Sequence, residues 1–127
     1  MRERNPDPDM LSLMEESEPD FEEVMTCVFG IQPHETRTYL KLIDHPESTA
    51  EELADVLDRD RSNVNRSLTS LIDLGLVERK RRLLDAGGYV YQYTATPLPE
   101  AQDLLHEALD TWTEQVNDVI DEFGEHR

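Results

Sequence analysis

Between Arg59 and Leu68 the chain reads RDRSNVNRSL. Three arginines, two serines and two asparagines stand there against one aspartate, in a protein of formal net charge −17. Guanidinium groups donate hydrogen bonds in a rigid planar fork, amides donate and accept, and hydroxyls do either. Such a set suits the recognition of planar polar edges and of anions. A second basic group follows, with Arg79, Lys80, Arg81 and Arg82 consecutive. From Arg59 to Arg82 there are seven basic and three acidic residues, a balance of +4 that leaves −21 for the remainder. Pairing with neighbouring carboxylates would account for the arginines, but not for the amides and hydroxyls beside them.

Bond-making chemistry has no comparable foothold. The sequence contains no Gly-rich phosphate loop, no cysteine set for a metal and no nucleophile motif. His34, His45, His106 and His126 are scattered without ligand spacing. Neither catalysis, nor a metal site, nor a cofactor is expected. Cys27 is the one cysteine, so no intrachain disulfide forms, which fits a reducing compartment. Its apolar setting, VMTCVF, predicts a buried structural thiol; redox sensing is the alternative.

The 127 residues suffice for one domain and an appended element. No apolar run reaches the length of a membrane span, and MRERNPDPDM lacks the apolar stretch of a secretory signal. A cytoplasmic location is expected. Only Lys41 and Lys80 of the 12 basic residues are lysines, against 29 acidic residues. This acid-rich, lysine-poor balance matches proteins of salt-accumulating halophiles; a merely acidic, soluble protein is the other reading.

The elements that position the basic stretch follow from periodicity and punctuation. Residues 1–19 read as a flexible acidic tail. A short helix is predicted in DFEEVMTCVFG, with Phe21, Val24, Met25, Val28 and Phe29 on one side and Gly30 as its stop. The next helix, PHETRTYLKLIDH, starts at Pro33, buries Tyr39, Leu40, Leu42 and Ile43, and ends before Pro46. In STAEELADVLDR, Thr49 and Glu52 have capping-box spacing, and Leu53, Ala54 and Leu57 form the stripe. After a break of a few residues, Asp60 or Ser62 caps a helix reaching about Leu74, with Val64, Leu68, Leu71 and Ile72 inward and Gly75 closing it. The period then switches to that of strands. LVERKRRLLD and YVYQYTA flank a turn at 85–88 and predict a β-hairpin. From Leu98 onward a long amphipathic helix carries Leu105, Leu109, Trp112, Val116, Val119 and Phe123 at alternating steps of four and three, a coiled-coil-like seam supported by Leu98, Ala101 and Ile120.

Two helices, a short turn, a third helix and a two-stranded hairpin make the winged helix-turn-helix plan. The fold class is therefore mainly α with a small β-hairpin, a domain at 20–97 followed by a C-terminal helix at 98–127. With Val64, Leu68 and Leu71 inward, Arg61, Ser62, Asn63, Asn65, Arg66, Thr69 and Ser70 point outward or sideways. Arginine pairs with guanine, asparagine with adenine, and serine or threonine with either bases or phosphates. An exposed helix fits the major groove, so the expected partner is double-stranded DNA. Arg79, Lys80, Arg81, Arg82 and Tyr89 are the candidate wing contacts, with Tyr91 and Tyr93 turned to the core.

FGIQPHETRTYLKLI, STAEELADVLDRDRSNVNRSLTSLIDLGLVERK and GGYVYQYTATP resemble the archaeal TrmB-like winged-helix transcriptional regulators over about residues 24–98. These motifs are shared loosely with MarR-like, ArsR-like and PadR-like regulators. The resemblance implies a dimeric DNA-binding regulator, with the recognition helix from Arg61 to Leu74 and the wing from Arg79 to Tyr91. It departs in one respect: sugar-responsive members carry a large C-terminal effector domain, whereas this sequence stops at Arg127. Sugar sensing is not carried over, and no effector is assigned. Gln32 also stands where a better helix cap is usual.

The C-terminal seam is the expected homodimer element; packing back onto its own domain is the alternative. A two-fold dimer reads a palindrome, with half-site centres about 34 Å or a multiple apart. A winged-helix module that docks a basic protein, with no DNA readout, is the competing function.

Overall fold

A computed structural model describes residues 19–125, so the acidic stretch at 1–18 and the last two residues lie outside the described part. Helix α1 spans Phe21–Phe29 and begins at a capping box. The Glu23 N–H donates to Asp20 Oδ1 at 2.8 Å, and the Asp20 N–H donates to Glu23 Oε1 at 3.0 Å. Helix α2, Pro33–Asp44, starts with proline at its first position. Its weak cap at Gln32 is compensated from within the helix, because the Gln32 N–H donates to Glu35 Oε1 at 2.7 Å. Helix α3, Ala50–Leu57, has the expected Thr49–Glu52 capping box.

Helix α4 runs Arg61–Asp73. It ends in a Schellman motif: Leu76 N–H donates to Leu71 C=O at 2.9 Å and Gly75 N–H to Ile72 C=O at 3.0 Å. Gly75 has φ 81°, a left-handed conformation that a Cβ penalises, so the turn out of α4 favours glycine. Strands β1, Val77–Leu83, and β2, Tyr89–Ala95, then pair antiparallel, with Arg79 opposite Tyr93, Arg81 opposite Tyr91 and Leu83 opposite Tyr89. The far edge of β2 is held as well, since the Tyr93 N–H donates to the Ser48 carbonyl at 2.8 Å. Helix α5 spans Leu98–Glu125.

One core gathers these elements. Met25, Ile31, Tyr39, Leu42, Leu53, Val64, Leu68, Leu71, Leu76 and Val77 are buried in it, with Tyr93 from the wing and Ala101 from α5. Each fully buried leucine adds roughly 1.5–3 kcal/mol of transfer free energy, more than any one of the short helices gains from local propensity. Tyr39 is completely buried. Its hydroxyl donates to the Thr96 carbonyl at 2.6 Å, tying α2 to the exit of β2. Thr96 also donates through its N–H to Leu76 C=O and through its hydroxyl to Gly75 C=O, each at 2.8 Å. The base of the hairpin is thereby fixed to both α2 and the end of α4.

Two expectations about burial are corrected. Leu40 is exposed rather than inward. It lies about 100° of helical rotation from Tyr39, past the edge of the arc that meets α4 and β2. Threonines fill the arc instead, with Thr36 and Thr38 fully buried. Cys27 is exposed, not buried. Its neighbour Met25 takes the inward direction, and two residues along a helix is more than half a turn.

Candidate nucleic-acid interface

Helix α4 presents the basic and amide side chains as its spacing requires. Arg61, Ser62, Arg66 and Thr69 are exposed, and Asn63, Asn65 and Ser70 are half-buried. Val64, Leu68 and Leu71 face the core, joined by Ser67, which the hydrophobic pattern does not single out. No carboxylate lies between Arg61 and Ile72. Arg66 donates through Nη2 to Asn63 Oδ1 one turn earlier, and the Thr69 hydroxyl donates to the Asn65 carbonyl at 3.0 Å.

The start of α4 differs from expectation. Asp60 occupies the cap position, yet neither it nor Ser62 caps the helix through its side chain. The two pair with each other, the Ser62 hydroxyl donating to Asp60 Oδ2 at 2.6 Å. A short hydroxyl–carboxylate bond satisfies both groups two residues apart and outcompetes a bond to the first-turn amides.

The wing places all four basic residues in solvent. Strand alternation divides them: Arg79 and Arg81 share a face with Leu83, Tyr89, Tyr91 and Tyr93, while Lys80 and Arg82 take the other. Tyr93 is buried, Tyr91 half-buried and Tyr89 48% exposed, so the tyrosines grade outward along one face as expected. The Arg79 guanidinium carbon lies 4.1 Å from the Tyr91 ring centroid, and that of Arg81 lies 5.0 Å from the Tyr89 ring. Tyr89 and Tyr91 meet edge-to-face with centroids 5.3 Å apart. Hydrogen bonding to Tyr91 and repulsion between the two phenolates raise the Tyr89 pKa above the ordinary tyrosine value, with Arg79 acting in the opposite sense. Leu83 and Leu84 at the wing tip are also exposed, a feature that the sequence pattern alone does not flag.

Between wing and helices lies an open groove of about 600 Å³. Arg61 and Asn65 of α4 line one wall, Arg79, Tyr89 and Tyr91 the other, and Thr49 and Glu51 at the start of α3 close it. The tertiary fold thus brings Arg61 and Asn65 of the first basic stretch and Arg79 of the second onto one surface. Among the described residues no arginine of α4 or the wing forms an ion pair with a carboxylate, whereas Arg37 pairs with Glu22 at 3.1 Å. Arg59, part of the same sequence stretch, is instead half-buried at the turn before α4. No cluster suited to a metal ion occurs among the described residues.

The candidate dimer helix has two parts. At its start, Leu104 and Leu105 pack against the core, and Leu105, His106 and Leu109 enclose a small apolar pocket with Val24 and Val28 of α1. Farther along, Trp112 is 53% exposed, Val119 65% and Phe123 70%, with Ile120 exposed beside them and Val116 half-buried. Among the described residues no helix is long and apolar enough to cross a membrane.

Residues 25–98 match the protein family described as "Sugar-specific transcriptional regulator TrmB". The uncharacterized protein MJ1082 of Methanocaldococcus jannaschii is 37% identical over 106 residues, 84% of this chain and 88% of that protein. Among solved structures, a possible transcriptional regulator from Methanosarcina mazei Go1 superposes with a TM-score of 0.70 at 22% identity, covering 80% of this chain and 86% of the other. AbfR, in an overoxidized form bound to DNA, gives a TM-score of 0.53 at 22% identity, covering 84% of this chain and 80% of its own. Likeness at that identity establishes the winged-helix fold.

Proposed function

Because this chain belongs to the TrmB family of transcriptional regulators, we propose that it binds double-stranded DNA sequence-specifically, as a cytoplasmic homodimer. Helix α4 enters the major groove, Arg61, Ser62, Asn63, Asn65, Arg66, Thr69 and Ser70 supply base and phosphate contacts, and the hairpin lies alongside as a wing. The observation that carries this reading is the outer face of α4: it is basic, rich in amides and hydroxyls, and free of carboxylates in a chain of net charge −17. The family's members are regulators rather than enzymes, and the interface is built for contact, not bond-making.

The dimer is formed by the outer part of α5, where Trp112, Val116, Val119 and Phe123 continue one stripe. Two copies on a two-fold axis read a palindromic site. The acidic remainder repels DNA at low salt. At about 1 M salt the screening length falls to about 3 Å, so potassium chloride opens access to the duplex by screening that repulsion, in keeping with a halophilic host.

The test is a gel shift on the DNA upstream of the protein's own gene, comparing the wild type with a variant carrying Arg61→Ala and Arg66→Ala. Sequence-specific retention that the variant loses supports the regulator. Absence of retention at every salt concentration supports instead a module that docks a basic protein.

A further inference from the structure

One face of the wing carries four groups in series, Arg79 against Tyr91, Tyr91 edge-to-face with Tyr89, and Tyr89 against Arg81, and of these Arg79, Tyr91 and Tyr89 line the groove. Both arginine–tyrosine pairs are diagonal across the hairpin, since Arg79 is directly opposite Tyr93 and Arg81 directly opposite Tyr91, while Tyr89 and Tyr91 are two positions apart on β2. We infer that Tyr91 and Tyr89 are positioning residues, which hold the guanidinium planes of Arg79, in the groove between wing and α4, and of Arg81, beyond it on the same wing face, so that their N–H edges meet a DNA phosphodiester strand. This inference rests on the DNA-binding reading above and goes beyond it by assigning the tyrosines their task.

The physical argument turns on the shape of a guanidinium. It interacts with an aromatic ring through its face, and with phosphate oxygens through its edge. Both contacts are therefore made at once, which an ammonium cannot do in the same geometry. A free arginine on an exposed strand loses rotamer freedom when it is fixed by a ligand. A stacked arginine has surrendered part of that freedom before the ligand arrives. The groove supplies the place for the strand, because Arg61 and Arg79 both line it and Glu51 is the one carboxylate among its described lining residues. Lys80 and Arg82, on the opposite face of the hairpin, have no place in this arrangement.

Two measurements separate positioning from simple packing. The first needs no DNA: by NMR, the Arg79 side-chain protons are shifted by the Tyr91 ring current in the wild type and return to ordinary values in Tyr91→Leu. The second is a double-mutant cycle on a random-sequence duplex and on the upstream duplex, read by fluorescence anisotropy, using Tyr91→Leu, Arg79→Ala and both together. Tyr91→Leu weakens binding about two- to fivefold when Arg79 is present. It has no effect in the Arg79→Ala background, Tyr91→Phe binds as the wild type does, and Arg79→Lys behaves like Tyr91→Leu. An equal loss in both backgrounds, or a loss in Tyr91→Phe, overturns the inference while leaving DNA binding intact. If the wild type binds neither duplex at any salt concentration, the functional reading itself fails, and this assignment with it.

Discussion

Replacing Tyr39 by phenylalanine removes a single oxygen from the centre of the molecule. That oxygen belongs to a fully buried side chain and donates to the Thr96 carbonyl at 2.6 Å. The bond spans from α2 to the residue after β2, so its loss loosens the base of the wing. A neutral hydrogen bond contributes about 0.5–1.5 kcal/mol net, and a buried acceptor left without its donor adds to the cost. Thr96 is half-buried, so water replaces part of what is lost. The expected destabilisation is therefore about 1–1.5 kcal/mol. For a domain of this size the melting temperature falls by about 4–10 °C.

The pH dependence sharpens this prediction. Burial raises the Tyr39 pKa above the ordinary tyrosine value, so the folded protein keeps the phenolic proton when the unfolded chain releases it. The contribution of Tyr39 is fully present below about pH 10 and is lost progressively as pH rises above that value towards the folded pKa. Thermal unfolding followed by circular dichroism, for both proteins at neutral pH and at pH values above 10, is the assay. The wild-type advantage should be constant at neutral and mildly alkaline pH and shrink above 10, and at neutral pH potassium chloride should barely change it because no charge is involved there. An advantage below about 0.3 kcal/mol, or one that grows above pH 10, would refute the assignment of this bond as a structural tie.

Arg66→Ala should cost about 1–3 kcal/mol on the specific site and much less on random DNA, measured by competition binding; an equal loss on both would mean that Arg66 touches phosphate only. Trp112→Ala should shift the dimer towards monomer and weaken DNA binding in consequence, and light scattering that shows an unchanged dimer would count against α5 as the interface. Across a potassium chloride series, affinity should rise from low salt before counterion competition lowers it. A steep fall from the lowest concentration onward would show that repulsion by the acidic remainder is not limiting.

The order and type of the elements were legible in the order of amino acids, because the signals for these are local. The Thr49–Glu52 capping box, Pro33 at the start of α2, Gly75 after α4 and the switch from helical to alternating period all act within a few residues. The carboxylate-free outer face of α4 was legible for the same reason: Val64, Leu68 and Leu71 fix which side is inward. Other features depend on which arcs of the helices meet. Leu40 and Cys27 are on helices whose inward direction is set by partners, so their exposure emerged only in three dimensions. The Asp60–Ser62 pair was a choice between two nearby hydrogen bonds that spacing does not decide. The Arg79–Tyr91 and Arg81–Tyr89 stacks required the hairpin register, since a slip of one residue would have sent the tyrosines to the other face. The Tyr39–Thr96 tie, 57 residues apart in sequence, and the meeting of Arg61 with Arg79 across one groove exist only because a shared core brings distant segments together.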